Sequence, residues 1–187
     1  MLSLFSKILK SIYNQRDDEL LSKYDRSLPF QDAMIDRWER ADKLGFNKGA
    51  SIYNSALVFG QVRVGSHTWI GPNVMLDGSG GELTIGQYCS VSTGVQIYTH
   101  DTVGRSLSGG VEPIYKAPVS VGNNTYIGSA AIIASGVKIG SKAVIAANSF
   151  VNEDVPDRWI VGGSPARKLG EVTFNEQGKP ILDYSMK

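Results

Sequence analysis

The chain has 187 residues, a formal net charge of +1 and one cysteine. This length suits one domain, or one domain with a small appendage, and it is sufficient to bury a substantial core. The near-neutral charge gives no reason to expect nucleic acid or an anionic membrane as the main partner. A single cysteine, Cys89, excludes an internal disulfide and suits a reducing compartment, so we expect a cytoplasmic location.

The first 45 residues have the composition of surface helices, with 16 charged side chains, eight of each sign. Gly45 is placed to end the last of these helices. The opening segment MLSLFSKILKSIY has lysines inside its apolar stretch and lacks a small-residue cleavage site, which argues against a signal peptide. The sequence also contains no apolar run of about 18 residues, the length that a membrane-spanning helix needs.

One face of the predicted first helix is apolar, and it is formed by Leu2, Phe5, Ile8, Leu9 and Ile12. We expect this short helix to dock its apolar face on the protein's own domain. Attachment of the same face to a membrane surface is the alternative.

The composition changes at residue 50, because residues 50–155 carry only 11 charged side chains and most of the glycines. From Ile52 this region falls into fourteen six-residue units, each of which opens with Ile, Val or Leu. The fifth place is Ala, Val, Thr, Ser, Cys or Gly in thirteen units, and Asp101 is the exception. Neither a helix nor an alternating strand has a period of six. The pattern instead predicts a β-solenoid, with each opening residue pointing inward and each small fifth residue closing a corner.

These units, such as VGNNTY, IGSAAI and IGSKAV, resemble the repeats of the hexapeptide-repeat acyltransferases. The resemblance covers about residues 50–170 and implies a mostly β fold, a left-handed parallel β-helix with three units per coil. It also implies a homotrimer with active sites between subunits. We therefore expect a helical region over residues 1–49, an acyltransferase domain over residues 50–170, and a C-terminal tail over residues 171–187.

Two interruptions break the repeat. The segment DGSGGE after Leu76 delays the phase by three residues, and residues 99–118 leave the pattern as an extruded loop. With the family's eighteen residues per coil and these three extra residues, Leu76 and Ile97 should stack on adjacent coils, about 4.8 Å apart. The two interruptions would then leave the solenoid at the same corner. This places Asp77 near His100, although the two residues are 23 positions apart in the sequence.

The segment YTHD, followed by the loop and PVSVGNNTYIGSAAIIASGVKIG, resembles the catalytic segment of the acetyl-CoA-dependent acetyltransferases of this fold, in which the histidine is a general base. A sugar hydroxyl is a poor nucleophile until its proton leaves, and imidazole can take and return a proton near neutral pH. The resemblance therefore implies that His100 is the catalytic base. Asp77 and Asp101 are both candidates to orient the imidazole or to bind the acceptor: stacking favours Asp77 and adjacency favours Asp101.

The same resemblance implies contacts for acetyl-CoA as co-substrate. Tyr126 stands where the family often has a tryptophan near the thioester, and Ser129 and Ala147 match positions whose backbone binds the pantetheine arm. Arg167 and Lys168 are placed to meet the coenzyme phosphates. Glu153 is a departure, because relatives often carry a lysine at its position.

Other chemistries fit the sequence less well. His67 falls on an outward turn and Cys89 on a small core position, so neither is expected to be catalytic. A γ-type carbonic anhydrase, which is also a hexapeptide solenoid, needs three histidines around its metal, whereas this chain has 2. No metal site, P-loop or dinucleotide fingerprint is predicted.

The sequence therefore favours an acetyl-CoA-dependent O-acetyltransferase that modifies a hydroxyl of a sugar or polysaccharide precursor, similar to the polysaccharide, galactoside and maltose acetyltransferases. An N-acetyltransferase acting on an amino sugar nucleotide is the alternative within the same fold. A non-catalytic solenoid used for assembly is the alternative from a different functional class.

Overall fold

A computed structural model describes residues 3–184 of the chain. Leu2, assigned above to the apolar helical face, lies outside the described residues. The helices are α1 (Leu4–Tyr24), α2 (Phe30–Met34), α3 (Arg37–Lys43) and α4 (Val103–Leu107). The strands are β1 (Ser51–Ile52), β2 (Leu57–Val64), β3 (Trp69–Ile70), β4 (Met75–Ile85), β5 (Ser90–Val91), β6 (Gln96–Tyr98), β7 (His100–Asp101), β8 (Tyr115–Lys116), β9 (Val119–Val121), β10 (Tyr126–Ile127), β11 (Ile132–Ile133), β12 (Lys138–Ile139), β13 (Val144–Ile145), β14 (Phe150–Val151), β15 (Trp159–Gly163), β16 (Ala166–Phe174) and β17 (Pro180–Asp183).

The short strands form a curled parallel sheet arranged in three rows, which the chain visits in turn. The first row contains β1, β3, β5, β10, β13 and β15. The second row contains the first halves of β2 and β4, followed by β6, β11 and β14. The third row contains the second halves of β2 and β4, followed by β9 and β12. Tyr126 pairs with Val144, so one circuit of the three rows takes eighteen residues where the repeat is regular.

The core lies inside the three rows and is built from the two repeated inward positions. Opening residues such as Ile70, Leu76 and Ile127 are fully buried, and each contributes about 1.5–3 kcal/mol of transfer free energy. Most fifth-place residues are buried as well, including Ala56, Val95 and Val155. Thr68 occupies one of these places because its hydroxyl donates a hydrogen bond to the Gly86 carbonyl of the next coil. The predicted inward positions are therefore confirmed.

The turns have a backbone requirement that the sequence analysis did not identify. In nine of the fourteen units the fourth place has a positive φ, as at Asn73 (56°), Asn124 (56°) and Asn148 (56°). Asparagine and glycine adopt this left-handed conformation at low cost, which explains why they recur there. Glycine in the second place serves close packing instead, because a Cβ on Gly65 would lie 2.5 Å from the backbone nitrogen of Gln87 in the next coil.

The helical region covers one end of the sheet. α3 begins at Asp36, whose carboxylate accepts hydrogen bonds from the backbone N–H groups of Trp38 and Glu39. The Arg40 guanidinium donates hydrogen bonds to the carbonyls of Tyr53 and Ala56, between β1 and β2 in the first circuit. These contacts satisfy carbonyls that no further strand covers. Gly45 follows α3 with a φ of 74°, as expected of a residue that ends a helix.

The expectation that the apolar face of the first helix docks on the protein's own domain is wrong for the described residues. Phe5, Ile8, Leu9 and Ile12 are all exposed, and Phe5 retains 69% of its surface. Helix α1 contacts the body from Tyr13 onward, where the Tyr13 hydroxyl donates a hydrogen bond to the Leu28 carbonyl. None of the described helices is long and apolar enough to cross a bilayer.

The C-terminal segment does not separate at residue 170 as a tail. Strand β16 crosses this boundary, pairs antiparallel with β15, and is followed by β17 on its outer side. The outer faces of these strands and of the first row enclose an apolar cleft of about 620 Å³. The predicted division therefore underestimated how far the sheet continues.

Candidate functional site

The two interruptions of the repeat meet at one corner of the structure. Leu76 pairs with Ile97, which confirms the register predicted from the three extra residues. The excursion leaves at Thr99 and returns at Pro118, since the backbone N–H of Ala117 donates a hydrogen bond to the Thr99 carbonyl. At the base of the loop, β7 and β8 form a short antiparallel pair in which His100 lies opposite Lys116.

His100 and Asp77 are in direct contact at this corner. Nδ1 of His100 lies 3.1 Å from Oδ2 of Asp77. The Asp77 side chain is 8% exposed, whereas the His100 side chain is 31% exposed. A buried carboxylate accepts a hydrogen bond, so the proton of the neutral imidazole resides on Nδ1. Within residues 3–184 no hydrogen bond engages Nε2, and this nitrogen therefore keeps a lone pair available to a ligand.

The Asp77 carboxylate is itself held in place by the glycine-rich insertion. Its Oδ1 accepts hydrogen bonds from the backbone N–H (2.9 Å) and the hydroxyl (2.6 Å) of Ser79. The buried Thr99 hydroxyl donates to the Asp77 carbonyl and accepts from the Gly80 N–H. A Cβ on Gly80 would lie 2.6 Å from the Cβ of His100, so only glycine lets the two segments approach this closely.

Ser79 and Thr99 were missed by the sequence analysis. Ser79 Oγ lies 3.4 Å from Nδ1 of His100, at the outer limit of a hydrogen bond. The signal was present, because the 21-residue offset that pairs Leu76 with Ile97 also places Ser79 opposite His100.

Asp101, the other candidate orienting residue, has a different partner. Its Oδ1 accepts a hydrogen bond, 3.0 Å long, from the backbone N–H of Val103, the first residue of α4. Within the described part of the chain, no ion pair or hydrogen bond joins Asp101 to the His100 ring. The side chain is partly exposed at the start of the loop, where it fixes the turn into α4.

The residues assigned to acetyl-CoA lie elsewhere on the surface. Ser129 and Ala147 are exposed and occupy matching places on successive circuits, at the corner between the first and second rows. Their backbones are adjacent, because the Asn148 N–H donates a hydrogen bond to the Ser129 carbonyl. Tyr126 is 46% exposed and lines the apolar cleft next to the C-terminal strands.

Arg167 and Lys168 line a smaller cleft of about 260 Å³ together with Trp159 and Glu153. Arg167 lies 3.7 Å from Glu153, and Lys168 forms an ion pair with Glu171 while its ammonium lies 4.4 Å above the Trp159 ring. The ion pair of Arg167 is exposed on both sides and therefore weak. Glu153, the residue that departs from the family pattern, is thus a local neighbour of the cation expected to bind phosphate.

The chain does not bring His100 together with Tyr126, Ser129 and Ala147. Arg167 lies beside Glu153, which follows the second row as His100 does, but two circuits further along. His100 follows the second row, whereas Ser129 and Ala147 follow the first row and Tyr126 lies on it. These groups therefore occupy different corners of the same three-row cross-section. A single chain presents a base at one corner and a candidate coenzyme surface at another.

His67 and Cys89 occupy the positions that the repeat predicts for them, an outward turn and a core site. His67 is exposed on a turn and stacks on the Tyr88 ring, with centroids 4.8 Å apart. Cys89 is buried in the core, and desolvation by burial raises the pKa of its thiol, which disfavours the reactive thiolate. Among residues 3–184, no group of three His, Cys, Asp or Glu side chains is arranged to hold a metal ion.

Known proteins share both the repeat and the fold. Residues 118–153 match the family model described as the hexapeptide repeat of succinyl-transferase. The chain is 35% identical over 74 residues to a galactoside O-acetyltransferase from Escherichia coli (strain K12), covering 40% of this chain and 36% of that protein. It is 40% identical over 85 residues to a 2,3,4,5-tetrahydropyridine-2,6-dicarboxylate N-acetyltransferase from Clostridium perfringens (strain SM101 / Type A), covering 45% of this chain and 36% of that protein. The match thus spans about a third of the length of each of these curated relatives.

Similarity to a solved structure extends over most of the chain. A hexapeptide-repeat-containing acetyltransferase from Vibrio cholerae O1 biovar eltor, crystallised with acetyl-coenzyme A, superposes with a TM-score of 0.60 at 28% identity. The superposition covers 90% of each chain. The repeat, the sequence relatives and this structural match agree in making the chain similar to hexapeptide-repeat acetyltransferases.

Proposed function

We propose that this protein is an acetyl-CoA-dependent O-acetyltransferase that acts on a hydroxyl of a sugar or polysaccharide precursor, with His100 as the general base. The observation that carries this proposal is the contact of 3.1 Å between Nδ1 of His100 and the buried Asp77 carboxylate. A histidine held through one nitrogen by a carboxylate can accept a proton at the other nitrogen. An ordinary loop histidine needs no such partner.

The proposed reaction uses both members of this pair. The acceptor hydroxyl gives its proton to Nε2 of His100 while its oxygen attacks the thioester carbonyl carbon of acetyl-CoA. The carbon–sulfur bond then breaks, and the departing thiolate takes the proton from the imidazolium. Asp77 acts as a positioning residue, because its carboxylate fixes the imidazole ring and stabilises the transient positive charge.

The hydroxyl acceptor follows from what each nucleophile requires. An amine can bind in its neutral form and attack with little assistance, whereas a hydroxyl must lose its proton as it attacks. A carboxylate–imidazole pair is therefore of greater use with oxygen. The N-acetyltransferase found among the relatives supports an amine acceptor as the second candidate.

We further propose that the curled sheet is a left-handed β-helix that assembles into a trimer. The left hand is taken from the resemblance to the hexapeptide-repeat family. The usual rule for parallel crossover connections would by itself predict a right-handed coil. The domain would then comprise residues 50–170, preceded by the helical region and extended by the C-terminal strands. The described part of one chain lacks a coenzyme surface next to His100. In a trimer, a neighbouring copy can present its coenzyme surface to the His100 corner.

The trimer has a direct test. Multi-angle light scattering at micromolar concentration should give three times the mass of the chain, because the proposed site is complete only between subunits. A stable monomer that retains full acetyltransferase activity would contradict the composite site.

The coenzyme surface can be tested by replacing Arg167 and Lys168 together with alanine. The apparent KM for acetyl-CoA should rise, with a smaller effect on kcat, because phosphate contacts lie far from the reacting atoms. Exposed charge contacts of this kind contribute roughly 1 to 3 kcal/mol in total. Steady-state kinetics with acetyl-CoA varied at saturating acceptor would measure the change.

The matched control replaces Lys48 and Arg63, two cations near the opposite end of the sheet, together with alanine. This control variant should keep the wild-type KM for acetyl-CoA. An unchanged KM in the Arg167→Ala, Lys168→Ala variant, with its fold intact, would remove both residues from the coenzyme site.

A further inference from the structure

The first three turns of α1 carry an apolar face that nothing in the described structure covers. This face, called here the α1 face, consists of Leu4, Phe5, Ile8, Leu9 and Ile12. Leu4 is 75% exposed, and every member is at least 37% exposed. At 3.6 residues per turn the five side chains span an arc of about 140°. Isolated exposed apolar residues are ordinary on a protein surface, whereas a contiguous face of this kind indicates an interaction site.

The α1 face is presented by a helix that is anchored only at its other end. Arg16 donates a hydrogen bond to the Ala33 carbonyl, and Tyr13 packs on the Phe30 ring, with centroids 5.8 Å apart. Leu20 is the buried residue of α1. These contacts fix the second half of the helix against α2 and its flanking loops. The first half therefore extends from the body with its apolar side chains exposed.

The charges around the α1 face have one sign. Residues 3–16 include Lys7, Lys10 and Arg16 and no acidic residue, whereas the acidic side chains of the helical region begin at Asp17. At 100° per residue, Lys7 and Lys10 lie roughly 130° and 170° from the centre of the apolar arc. The net charge of +1 for the whole chain hides this local excess of positive charge. A helix with an apolar face and lysines on its polar side has the character of a helix that lies in a membrane interface.

We propose that the α1 face is a binding site for the surface of an anionic phospholipid bilayer. The apolar side chains would enter the boundary between headgroups and acyl chains, while Lys7 and Lys10 remain at the level of the lipid phosphates. Two features favour this occupant over a second copy of α1. The arc of about 140° is broader than the seam of a coiled coil. Lys7 and Lys10, on the side opposite the apolar arc, would gain no partner from a second copy of α1, whereas lipid phosphates can reach them.

The test is co-sedimentation of the full chain with vesicles of phosphatidylcholine, with or without phosphatidylglycerol. The wild-type chain should bind the vesicles that contain phosphatidylglycerol. Phe5→Ser combined with Ile8→Ser should lower the partition coefficient at least about tenfold, because two inserted apolar groups are lost. Lys7→Gln combined with Lys10→Gln should lower it roughly 10- to 30-fold on the same vesicles and change little on neutral ones.

The matched control is Leu107→Ser combined with Val111→Ser, which removes two apolar side chains that are 85% and 83% exposed on the loop. This variant should bind vesicles like the wild type. Absence of wild-type binding, or equal binding by all variants, would overturn the proposal. A different result would also overturn the proposal: light scattering shows that Phe5→Ser combined with Ile8→Ser dissociates an oligomer, and vesicles bind neither the wild type nor this variant. That outcome would assign the α1 face to an interface between copies.

Discussion

His100→Ala is expected to lower kcat for acetyl transfer to a hydroxyl by roughly 10²- to 10⁴-fold, the usual contribution of a positioned base. The side chain lies outside the buried positions of the repeat and is 31% exposed, so its loss should leave the fold intact. Acetyl-CoA should still bind, because the proposed coenzyme contacts come from residues beyond 120. Kinetics at saturating acetyl-CoA, together with direct binding of the coenzyme, would separate these two effects.

Two further readouts distinguish a base from a structural residue. The wild-type rate should fall as the pH is lowered, because a protonated imidazole cannot accept a proton, and the residual rate of the variant should lose this dependence. His67→Ala is the matched control, since it removes the other histidine from an exposed turn. It should keep wild-type activity. Near wild-type turnover of a hydroxyl acceptor by His100→Ala would refute the proposed mechanism.

Asp77→Asn is expected to lower kcat by roughly 10- to 10³-fold while leaving the KM for acetyl-CoA unchanged. The amide has the size of the carboxylate and can still accept the hydrogen bonds from Ser79, so the corner should stay folded. It cannot stabilise the imidazolium by charge, and its NH₂ group can hold the imidazole in the wrong tautomer. Steady-state kinetics and thermal unfolding on the same preparation would measure both consequences.

Two other aspartates serve as comparisons. Asp157 accepts a hydrogen bond from the Ser141 N–H at a different corner, so Asp157→Asn removes a charge without touching the His100 ring. It should leave kcat unchanged. Asp101→Asn should preserve the pH dependence of the rate, because Asp101 caps the turn at Val103. If Asp101→Asn rather than Asp77→Asn abolished turnover, the positioning role would belong to Asp101.

The period of the sequence was sufficient to predict much of the fold. An aliphatic residue every six positions leaves few alternatives to a coiled parallel sheet, and the register of such a sheet follows from counting residues. This is why the pairing of Leu76 with Ile97 could be predicted. The proximity of Asp77 to His100, which are 23 residues apart, follows from that pairing. The same offset of 21 residues, counted back from His100, would have identified Ser79.

Other features depend on contacts that a repeat pattern does not encode. Whether the α1 face packs on the body is decided by the complementary surface, and α2 covers only the second half of that helix. The C-terminal strands lack the six-residue period, so nothing in their spacing distinguishes them from a tail. The choice between Asp77 and Asp101 required side-chain directions, because Asp101 turns toward the backbone of Val103.

A panel of saccharides and amino sugars, assayed for release of the CoA thiol with wild type and His100→Ala in parallel, tests the central claim most directly. We predict that at least one saccharide without an amine supports thiol release by the wild type and yields a base-labile acetyl ester. The variant should fail with that same saccharide while still binding acetyl-CoA. Release with amines alone, or equal rates for the two proteins on a hydroxyl acceptor, would contradict O-acetylation by a His100 base.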